Sequence, residues 1–229
     1  MNNNIISHIA FIMDGNRRWA KNKLLPSLMG HKAGARNIEK ILKCVHENDI
    51  RYATFYTFST ENWLRPKVEI DGLFDLMREY ISSNIEKFKK DDRFNFEIIG
   101  DIEKLPIDLQ GKLQELKGVS KFKDGSTTAI FAINYGGKDE ILRAVNKVLQ
   151  SGKKSISSDD FKNYLDTKNT PDVDIIIRTG GEKRLSNFLI MQSSYAELYF
   201  IDTLWPDFSK KNLNIVLQDY MRISRNYGI

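Results

Sequence analysis

The sequence predicts an α/β protein with a mostly parallel central β-sheet flanked by helices. Short runs of β-forming residues alternate along the chain with segments whose apolar residues recur at helical spacing. Such alternation is typical of parallel sheets with helices on both faces. The polar stretches of unusual composition follow directly after predicted strands, where ligands bind in open parallel sheets. We expect a single domain over residues 1–229.

The first predicted strand is the apolar run at 8–12, which has the length and bulk of a buried strand. Gly15 then allows a tight turn, and Asp14 or Asn16 is placed to cap a short helix. A proline and a glycine punctuate residues 24–30, so this stretch is predicted to be an irregular connector.

Two long helices are predicted next, over 31–47 and 69–89. The strand between them covers 51–58 and runs into a polar loop at 59–66 with an exposed-looking tryptophan. The second helix carries a wide apolar stripe, which in most helices is ordinary protein core. The stripe consists of Leu73, Met77, Tyr80, Ile81, Ile85 and Phe88.

The rest of the chain continues the alternation of strands and helices. Runs of β-forming residues predict strands over 94–100, 127–133, 173–177 and 198–201. Apolar periodicity predicts helices over 106–116, 138–149, 159–165 and 210–222. The one linker-like stretch is short and polar, so the small helix after it is interpreted as an insertion and not as a second domain.

The composition is that of an ordinary globular protein, with 41% hydrophobic and 28% charged residues. The net charge of +5 is compatible with anionic ligands, an anionic membrane surface or nucleic acid. Cys44 is the only cysteine, which excludes an internal disulfide and suits a reducing compartment. Since no apolar stretch approaches the roughly 20 residues that span a bilayer, we expect a cytoplasmic protein, with peripheral membrane contact left open.

The stretch Met13–Ala20 is a candidate anion site. A helix start with free backbone N–H groups and the adjacent Arg17 and Arg18 favours phosphate. Asp14 would repel a phosphate unless a proton or a divalent cation lies between them, which suggests Mg²⁺-assisted diphosphate chemistry. The alternative is that Asp14 only caps the helix and that the arginines are solvated surface.

A second candidate anion site follows the strand predicted at 173–177. The cations Arg178, Lys183 and Arg184 and the hydroxyl of Ser186 can donate hydrogen bonds to phosphate oxygens, and two adjacent glycines let the backbone approach. The alternative is a solvated basic turn balanced by Glu182. Together with the first site, this predicts either one ligand with spread-out phosphates or two phosphorylated ligands.

Single residues elsewhere are weaker candidates. Glu197 is a second carboxylate for a metal, although alone it is more often a surface or strand-edge glutamate. His31 opens a helix, where it could contact phosphate or act as a general acid, or simply cap the helix. Asn62, beside Trp63, could orient or accept a proton, and Arg65 is a candidate phosphate clamp. The chain lacks the signatures of triphosphate, dinucleotide, serine-hydrolase and zinc sites.

Seven motifs resemble those of the cis-prenyltransferases. In order, they are MDGNRRWAK, GHKAG, YTFSTENWLRP, NYGG, IIRTGGEKRLSNF, YAELYF and LWPDF, and the matching blocks span residues 8–208. That family condenses isopentenyl diphosphate repeatedly onto an allylic diphosphate such as farnesyl diphosphate, in a Mg²⁺-dependent reaction that releases diphosphate. The resemblance implies a homodimer that makes a long-chain product such as undecaprenyl diphosphate, a lipid carrier for cell-wall synthesis.

The resemblance also implies roles for individual residues. Asp14 would hold Mg²⁺ and assist departure of the allylic diphosphate, Glu197 would complete the metal environment across the dimer interface, and Asn62 would be the proton acceptor. Binding of the allylic substrate would involve Gly15, Asn16, Arg17, Arg18, Trp19 and His31. Binding of isopentenyl diphosphate would involve Arg178, Arg184, Leu185 and Ser186, with a mobile loop containing Ser59, Thr60, Glu61, Trp63 and Arg65. The two long helices would line a hydrophobic tunnel for the growing chain.

Three positions depart from the family pattern. Ser27 stands where an arginine is expected, so that one clamp on the allylic diphosphate is missing and Lys21 or Lys23 would substitute for it. Arg17 stands where many members have glycine and could supply the lost charge. Asn226 replaces an arginine that the family uses in an intersubunit contact to isopentenyl diphosphate.

Two other functions were weighed against chain elongation. A non-catalytic partner subunit of the same fold would be expected to lose Asp14 and the RTGGE cluster, and this chain keeps both. A basic nucleic-acid-binding protein would interleave base-stacking aromatic residues with cations. No such signature is present, so we expect no nucleic-acid partner.

Overall fold

A six-stranded β-sheet forms the centre of residues 5–223, the part of the chain that the computed structural model describes. The strands are β1 (His8–Ile12), β2 (Tyr52–Ser59), β3 (Phe94–Ile99), β4 (Thr127–Tyr135), β5 (Ile175–Thr179) and β6 (Glu197–Ile201). Their spatial order is β3-β4-β2-β1-β5-β6, and every neighbouring pair is parallel. The predicted α/β class is confirmed, and the carboxyl ends of the strands share one edge of the sheet.

Helices connect and flank these strands. The α-helices of residues 5–223 are α1 (Asn16–Asn22), α2 (Ser27–Glu47), α3 (Lys67–Lys90), α4 (Ile107–Gly118), α5 (Gly137–Gln150), α6 (Ser158–Lys162) and α7 (Lys210–Tyr220). Short 3-10 helices cover Thr60–Leu64, Ile102–Lys104 and Trp205–Asp207. Among these described helices, none has both the length and the apolar character needed to cross a bilayer.

Side chains alternate between the two faces of the sheet along each strand, so a hydrophobic core forms on each face. Ile9 and Phe11 of β1 are fully buried in the larger cluster, which also contains side chains of α2, α3, α4 and α7. Ala10 and Ile12 face the opposite cluster with Phe188. Because both faces are covered, the inner strands β1 and β5 are buried along their whole length.

Most predicted elements are confirmed. The irregular connector predicted over residues 24–30 is shorter than expected, because its second half belongs to a helix. α2 begins at Ser27. Pro26 occupies the N-cap with φ −57°, and its missing N–H costs nothing there because the first N–H groups of a helix have no partner. The residue that replaces the expected arginine therefore lies at the start of a long helix.

Two strands extend further than predicted. β5 continues through Arg178 and Thr179, because Arg178 pairs with Ile12 of β1 on one side and with Phe200 of β6 on the other. β4 continues to Tyr135 and takes in the first half of the NYGG motif. The small helix predicted over 159–165 ends at Lys162, and the last helix ends at Tyr220.

The turn after β1 is held by a second loop. Gly15 has φ +108°, and a Cβ there would lie 2.8 Å from Leu204 Cδ2, so a side chain would not fit. Trp205 is fully buried, and its indole Nε1 donates to Gly34 O at 2.9 Å. Asn37 Nδ2 donates in turn to Trp205 O at 2.7 Å. These contacts fix α2 against the carboxyl end of β1.

Candidate active site

Asp14 lies directly after β1 and joins the two basic segments of the sequence. Arg178 Nη2 donates to Asp14 Oδ2 at 2.9 Å, and Arg18 Nη2 donates to Oδ1 at 3.2 Å. The alternative in which Asp14 merely caps α1 is wrong, because Gly15 is the N-cap and no side chain caps this helix. The two predicted anion sites are therefore neighbours that share one carboxylate.

Arg178 is almost completely buried, with 5% of its side chain exposed. Its Nη1 donates to Ser186 Oγ at 2.7 Å and to Arg184 O at 2.5 Å. The Nε atom is buried and has no hydrogen-bond partner in the part of the chain that the structure describes. A guanidinium that is fixed on three sides and keeps one free donor is suited to binding an oxyanion.

The loop after β5 is shaped to approach the first basic segment. Gly180 has φ +85°, and a Cβ there would lie 2.5 Å from Arg18 Nη2, so the glycine leaves the space that the arginine occupies. Arg184 is 60% exposed at its side chain and pairs with Glu182. Leu185 packs against the smaller core cluster. Of the residues predicted to bind isopentenyl diphosphate, Arg178 and Ser186 thus contact each other directly. The side chain of Arg184 is largely exposed to solvent.

A pocket of about 750 Å³ opens in front of Asp14. Its lining carries more positive than negative side chains, and it includes Ser27, where the resemblance predicts an arginine. Lys21 lines this pocket, whereas the ammonium of Lys23 lies 4.7 Å above the ring of Trp19. Of the two lysines predicted to replace the missing arginine, Lys21 is the one at the pocket. The charged lining residues are Asp14, Arg17, Arg18, Lys21 and Arg65.

Trp19 itself turns away from the pocket. Its Nε1 donates to Asp207 Oδ1 at 2.7 Å, and it is not among the residues that line the pocket. This contact holds α1 against the 3-10 helix Trp205–Asp207. The structure therefore gives Trp19 a positioning contact, and its predicted proximity to the allylic substrate stays a prediction.

His31 and Asn16 line both the pocket and the apolar cavity next to it. Each keeps a buried polar atom, His31 Nε2 and Asn16 Oδ1, without a hydrogen-bond partner among residues 5–223. Burial lowers the pKa of His31 to about 4, and the nearby positive charge of Arg65 adds to the shift, while Glu69 opposes it. The imidazole is therefore neutral at neutral pH. Buried polar atoms are normally hydrogen-bonded, and a ligand or water in the adjoining pocket can supply the partners of these two.

Thr60–Leu64 form a 3-10 helix between the caps Ser59 and Arg65, so most of the polar loop predicted over 59–66 is helical. Ser59 N donates to Asn62 Oδ1 at 3.1 Å in a capping box, which engages the carbonyl of the predicted proton acceptor. Trp63 is 40% exposed, but its Nε1 donates to Asn134 Oδ1 at 2.8 Å and its ring packs against Phe58. The segment is therefore anchored at both ends.

The remaining side chains of this segment connect it to neighbouring loops. Glu61 Oε1 accepts from Asn187 Nδ2 at 2.9 Å, which ties the segment to the loop after β5. Thr60 lies against Gly136 of the NYGG motif. Arg65 Nη1 donates to Glu69 Oε1 at 3.2 Å and lines the pocket. The structure thus brings the segment to the same edge of the sheet as Asp14.

An apolar cavity of about 140 Å³ opens from the pocket. Met13, Asn16 and His31 line both spaces, so the cavity begins where the basic pocket ends. It lies between α2, α3 and the face of the sheet that carries the larger core cluster. All residues of the predicted stripe line it except Ile85, which is buried in the core. An apolar cavity therefore lies between the two long helices, where the tunnel is expected.

Glu197 is not brought to Asp14 within one chain. It begins β6 opposite Ile175, which is itself opposite Ile9 of β1, whereas Asp14 follows the far end of β1. Ile9 is three strand residues before the end of β1, which already places Glu197 about 10 Å below that end of the sheet, and Asp14 lies beyond it. A shared metal would need a second subunit, and no cluster of three or more His, Cys, Asp or Glu side chains suited to a metal occurs within residues 5–223. Asn226 lies outside the described residues.

Several residues that position the site were not predicted. Thr179 Oγ1 donates to Asp14 O at 2.7 Å and fixes the turn after β1. Asn134, at φ +48°, anchors Trp63, and Asn187, at φ +64°, anchors Glu61. Asn134 belongs to the NYGG motif and Asn187 to the motif IIRTGGEKRLSNF. Their presence in these motifs is the one feature of the sequence that could have identified them as site residues. Their left-handed backbone, which asparagine tolerates well, is visible only in the structure.

A cationic pocket that opens into an apolar cavity defines an enzyme site for a substrate with an anionic head and a hydrocarbon tail. The fold places this site at the carboxyl edge of a parallel sheet, as expected for α/β enzymes. These features define a class of enzymes that act on lipids with an anionic head group.

The prenyltransferase family model for undecaprenyl diphosphate synthase matches residues 12–228. The isoprenyl transferase of Treponema denticola is 45% identical, over 97% of this chain and 97% of its own. The isoprenyl transferase of Aquifex aeolicus is 44% identical, over 96% and 95%. The chain belongs to this family of cis-prenyltransferases and is a prenyl transferase enzyme.

Solved structures agree with this assignment. Lavandulyl diphosphate synthase from Lavandula x intermedia, in complex with dimethylallyl diphosphate, is 30% identical and superposes with a TM-score of 0.92 over 98% of both chains. A structure described as a probable undecaprenyl diphosphate synthase from Campylobacter jejuni is 33% identical, with a TM-score of 0.83 over 99% of this chain and 100% of that one.

Proposed function

We propose that this chain elongates an allylic diphosphate, with farnesyl diphosphate as the primer, by repeated condensation with isopentenyl diphosphate to give a long-chain cis-polyprenyl diphosphate such as undecaprenyl diphosphate. One observation carries the proposal: the basic pocket and the apolar cavity meet at Met13, Asn16 and His31. A primer can therefore keep its diphosphate at Asp14 while its hydrocarbon tail extends between α2 and α3. A product that grows from its head group needs this arrangement.

The pocket in front of Asp14 is proposed to hold the allylic diphosphate. Arg17, Arg18 and Lys21 supply positive charge there, and the buried Nε2 of His31 has no partner among the described residues. The related lavandulyl diphosphate synthase, which was solved with dimethylallyl diphosphate, supports an allylic diphosphate as the ligand. Charge that develops on the leaving diphosphate is what these cations stabilise.

Isopentenyl diphosphate is proposed to bind on the other side of Asp14, at Arg178, Arg184, Leu185 and Ser186. The free Nε of Arg178 is the donor that supports this placement. In each cycle the bond between the allylic carbon and its diphosphate breaks, a carbon–carbon bond forms to the isopentenyl unit, and that unit loses a proton. Asn62 is proposed to orient or accept the proton, from a segment that Glu61 ties to the loop after β5.

Mg²⁺ fits the chemistry of Asp14. This ion takes oxygen ligands and is commonly held by one or two carboxylates together with substrate phosphates. Asp14 offers such oxygens, its side chain is 30% exposed, and it faces the pocket proposed for the diphosphate. When bound, the ion would neutralise charge on the leaving diphosphate. We further propose a homodimer in which Glu197 of one subunit completes the metal environment of the other, and peripheral membrane contact through the lipid product.

The test is elongation by the purified full-length chain. Radiolabelled isopentenyl diphosphate and farnesyl diphosphate are incubated with the protein, with and without Mg²⁺, and the products are dephosphorylated and sized. We expect a ladder of products that ends at a long chain and that depends on Mg²⁺. A single added unit would indicate a short-chain synthase, and no incorporation under either condition would refute the proposal.

A further inference from the structure

The loop after β5 has a strained backbone at Ser186, one of the residues proposed to bind isopentenyl diphosphate. Ser186 has φ +48°, and Asn187 after it has φ +64°. A residue with a Cβ is disfavoured in this left-handed region, so contacts with other segments must hold the loop in place. Ser186 Oγ accepts from Arg178 Nη1 at 2.7 Å. The conformation of the loop therefore sets where this hydroxyl lies beside the guanidinium.

Tyr56 of β2 contacts this loop at two points. Its hydroxyl is shared between two carbonyl oxygens, since it donates to Ser186 O at 3.3 Å and to Tyr135 O, at the end of β4, at 3.1 Å. Its ring stacks on the buried Phe188, with 4.4 Å between the ring centroids and 13° between the ring planes. The side chain therefore connects the ends of β2 and β4 to the loop after β5.

The hydrogen bond to Ser186 O has no substitute. Among residues 5–223, no donor other than the Tyr56 hydroxyl reaches this oxygen. Loss of the hydroxyl would leave the carbonyl without a protein partner and remove a contact that holds the strained backbone. Burial raises the pKa of Tyr56, and the nearby negative charge of Glu61 adds to the shift. The phenol therefore keeps its proton at neutral pH and remains a donor.

Tyr56 lies apart from the two spaces proposed for the primer. It lines neither the basic pocket in front of Asp14 nor the apolar cavity. Removal of its hydroxyl should therefore affect one substrate and not the other. A purely structural role would differ, because loss of stability lowers the amount of active enzyme and leaves the KM of both substrates unchanged.

We propose that Tyr56 is a positioning residue for isopentenyl diphosphate, and that its hydroxyl holds the strained loop so that Ser186 and Arg178 keep the arrangement that binds the diphosphate. This inference rests on the proposed function, because it requires isopentenyl diphosphate at these two residues. Tyr56 acts through Ser186, and it is assigned no contact with either substrate.

The kinetic test compares wild type, Tyr56→Phe and the control Tyr199→Phe. Tyr56→Phe keeps the ring that stacks on Phe188 and removes only the hydroxyl. We expect the KM for isopentenyl diphosphate to rise roughly three- to tenfold, the effect of losing one neutral hydrogen bond, with an unchanged KM for farnesyl diphosphate. Tyr199 donates to Asp219 Oδ2 at 2.9 Å and lines neither space, so Tyr199→Phe should keep both values. Thermal unfolding checks that each variant is folded.

Two binding measurements do not depend on turnover. Calorimetric titration with isopentenyl diphosphate alone, without a primer, gives a Kd that should rise by a similar factor in Tyr56→Phe. A double-mutant cycle then tests whether Tyr56 acts through Ser186. Tyr56→Phe should raise this Kd by a smaller factor in the Ser186→Ala protein than in wild type, because the hydroxyl that it positions is already absent.

Three results would overturn the inference and leave the proposed function standing. They are an unchanged KM and Kd for isopentenyl diphosphate in folded Tyr56→Phe, the same rise in Tyr199→Phe, and equal factors in the wild-type and Ser186→Ala backgrounds. Absence of both isopentenyl diphosphate binding and elongation in the wild type would overturn the inference and the proposed function together.

Discussion

Arg178 donates to Asp14 across 2.9 Å, between the carboxyl ends of the neighbouring strands β5 and β1. This contact brings together two basic segments that are 164 residues apart in the chain. It also leaves Asp14 in a position between the two proposed diphosphate sites. A single carboxylate can therefore influence both substrates, and its removal is the most direct test of the site.

Asp14→Asn should lower kcat by about 10²-fold or more, because the amide cannot hold a cation or balance charge at the leaving diphosphate. The amide oxygen still accepts from Arg178, so the folded state is retained. Steady-state rates and thermal unfolding are measured together. Asp172→Asn, which changes a carboxylate paired with Lys162 away from the pocket, should match wild type. Wild-type turnover by Asp14→Asn would remove Asp14 from the mechanism.

Lys21→Ala should raise the KM for the allylic diphosphate by roughly tenfold, the effect of losing a charge-assisted hydrogen bond of about 1–2 kcal/mol. Lys21 lines the pocket next to Ser27, where the expected arginine is missing. Lys23→Ala is the matched control, because the Lys23 ammonium lies over the ring of Trp19. Initial rates over a range of farnesyl diphosphate concentrations give both values.

The same experiment includes a gain-of-charge variant. Ser27→Arg places a guanidinium at the rim of the pocket and should lower the KM for the allylic diphosphate, most clearly in the Lys21→Ala background. Equal effects of Lys21→Ala and Lys23→Ala would argue that only overall charge matters, and not the position of Lys21 in the pocket.

His31 should take up a proton when the allylic diphosphate binds. Its pKa is about 4 in the free protein because of burial and the charge of Arg65, and a bound anion would raise it. Calorimetric titrations at pH 6 in two buffers of different ionisation enthalpy measure the uptake. His31→Gln should bind more weakly and take up fewer protons. An identical proton uptake in both proteins would contradict a contact between His31 and the anion.

Stability should fall in mild acid because of His8. This imidazole is fully buried, its Nε2 lies 2.7 Å from Thr54 Oγ1, and burial lowers its pKa to about 4, against the ordinary 6.5. The unfolded chain therefore binds a proton that the folded chain does not between these values, so the free energy of unfolding is highest above pH 6.5 and decreases as the pH falls toward 4. The full shift of the His8 pKa corresponds to a change in the free energy of unfolding on the order of 3 kcal/mol.

Urea unfolding between pH 7 and pH 5 measures this effect in a range where ordinary carboxylates do not yet titrate. His8→Gln should show a smaller slope of unfolding free energy against pH than wild type, although its stability at pH 7 is lower. His31 titrates in the same range, so the slope should decrease without vanishing. Equal slopes in both proteins would show that His8 is not neutral in the folded state.

The sequence by itself determined the fold class, the family and most of the residues at the site. Periodicity of apolar residues decides which faces of strands and helices are buried, and this information is local. The motifs after the strands could be assigned to one edge because parallel strands end together. Asp14, Arg178 and Ser186 were found in this way, and so was the apolar stripe of α3.

Only the tertiary structure decided how these residues meet. That Arg178 lies within β5, that its Nη2 bonds Asp14, and that Lys21 and not Lys23 lines the pocket depend on register and packing across distant segments. The same holds for the hydrogen bond from Tyr56 to Ser186, which no local pattern encodes because the two residues lie in different segments. Contacts between distant segments are selected by the burial of the whole core, so they follow from the assembled fold and not from the sequence of either segment.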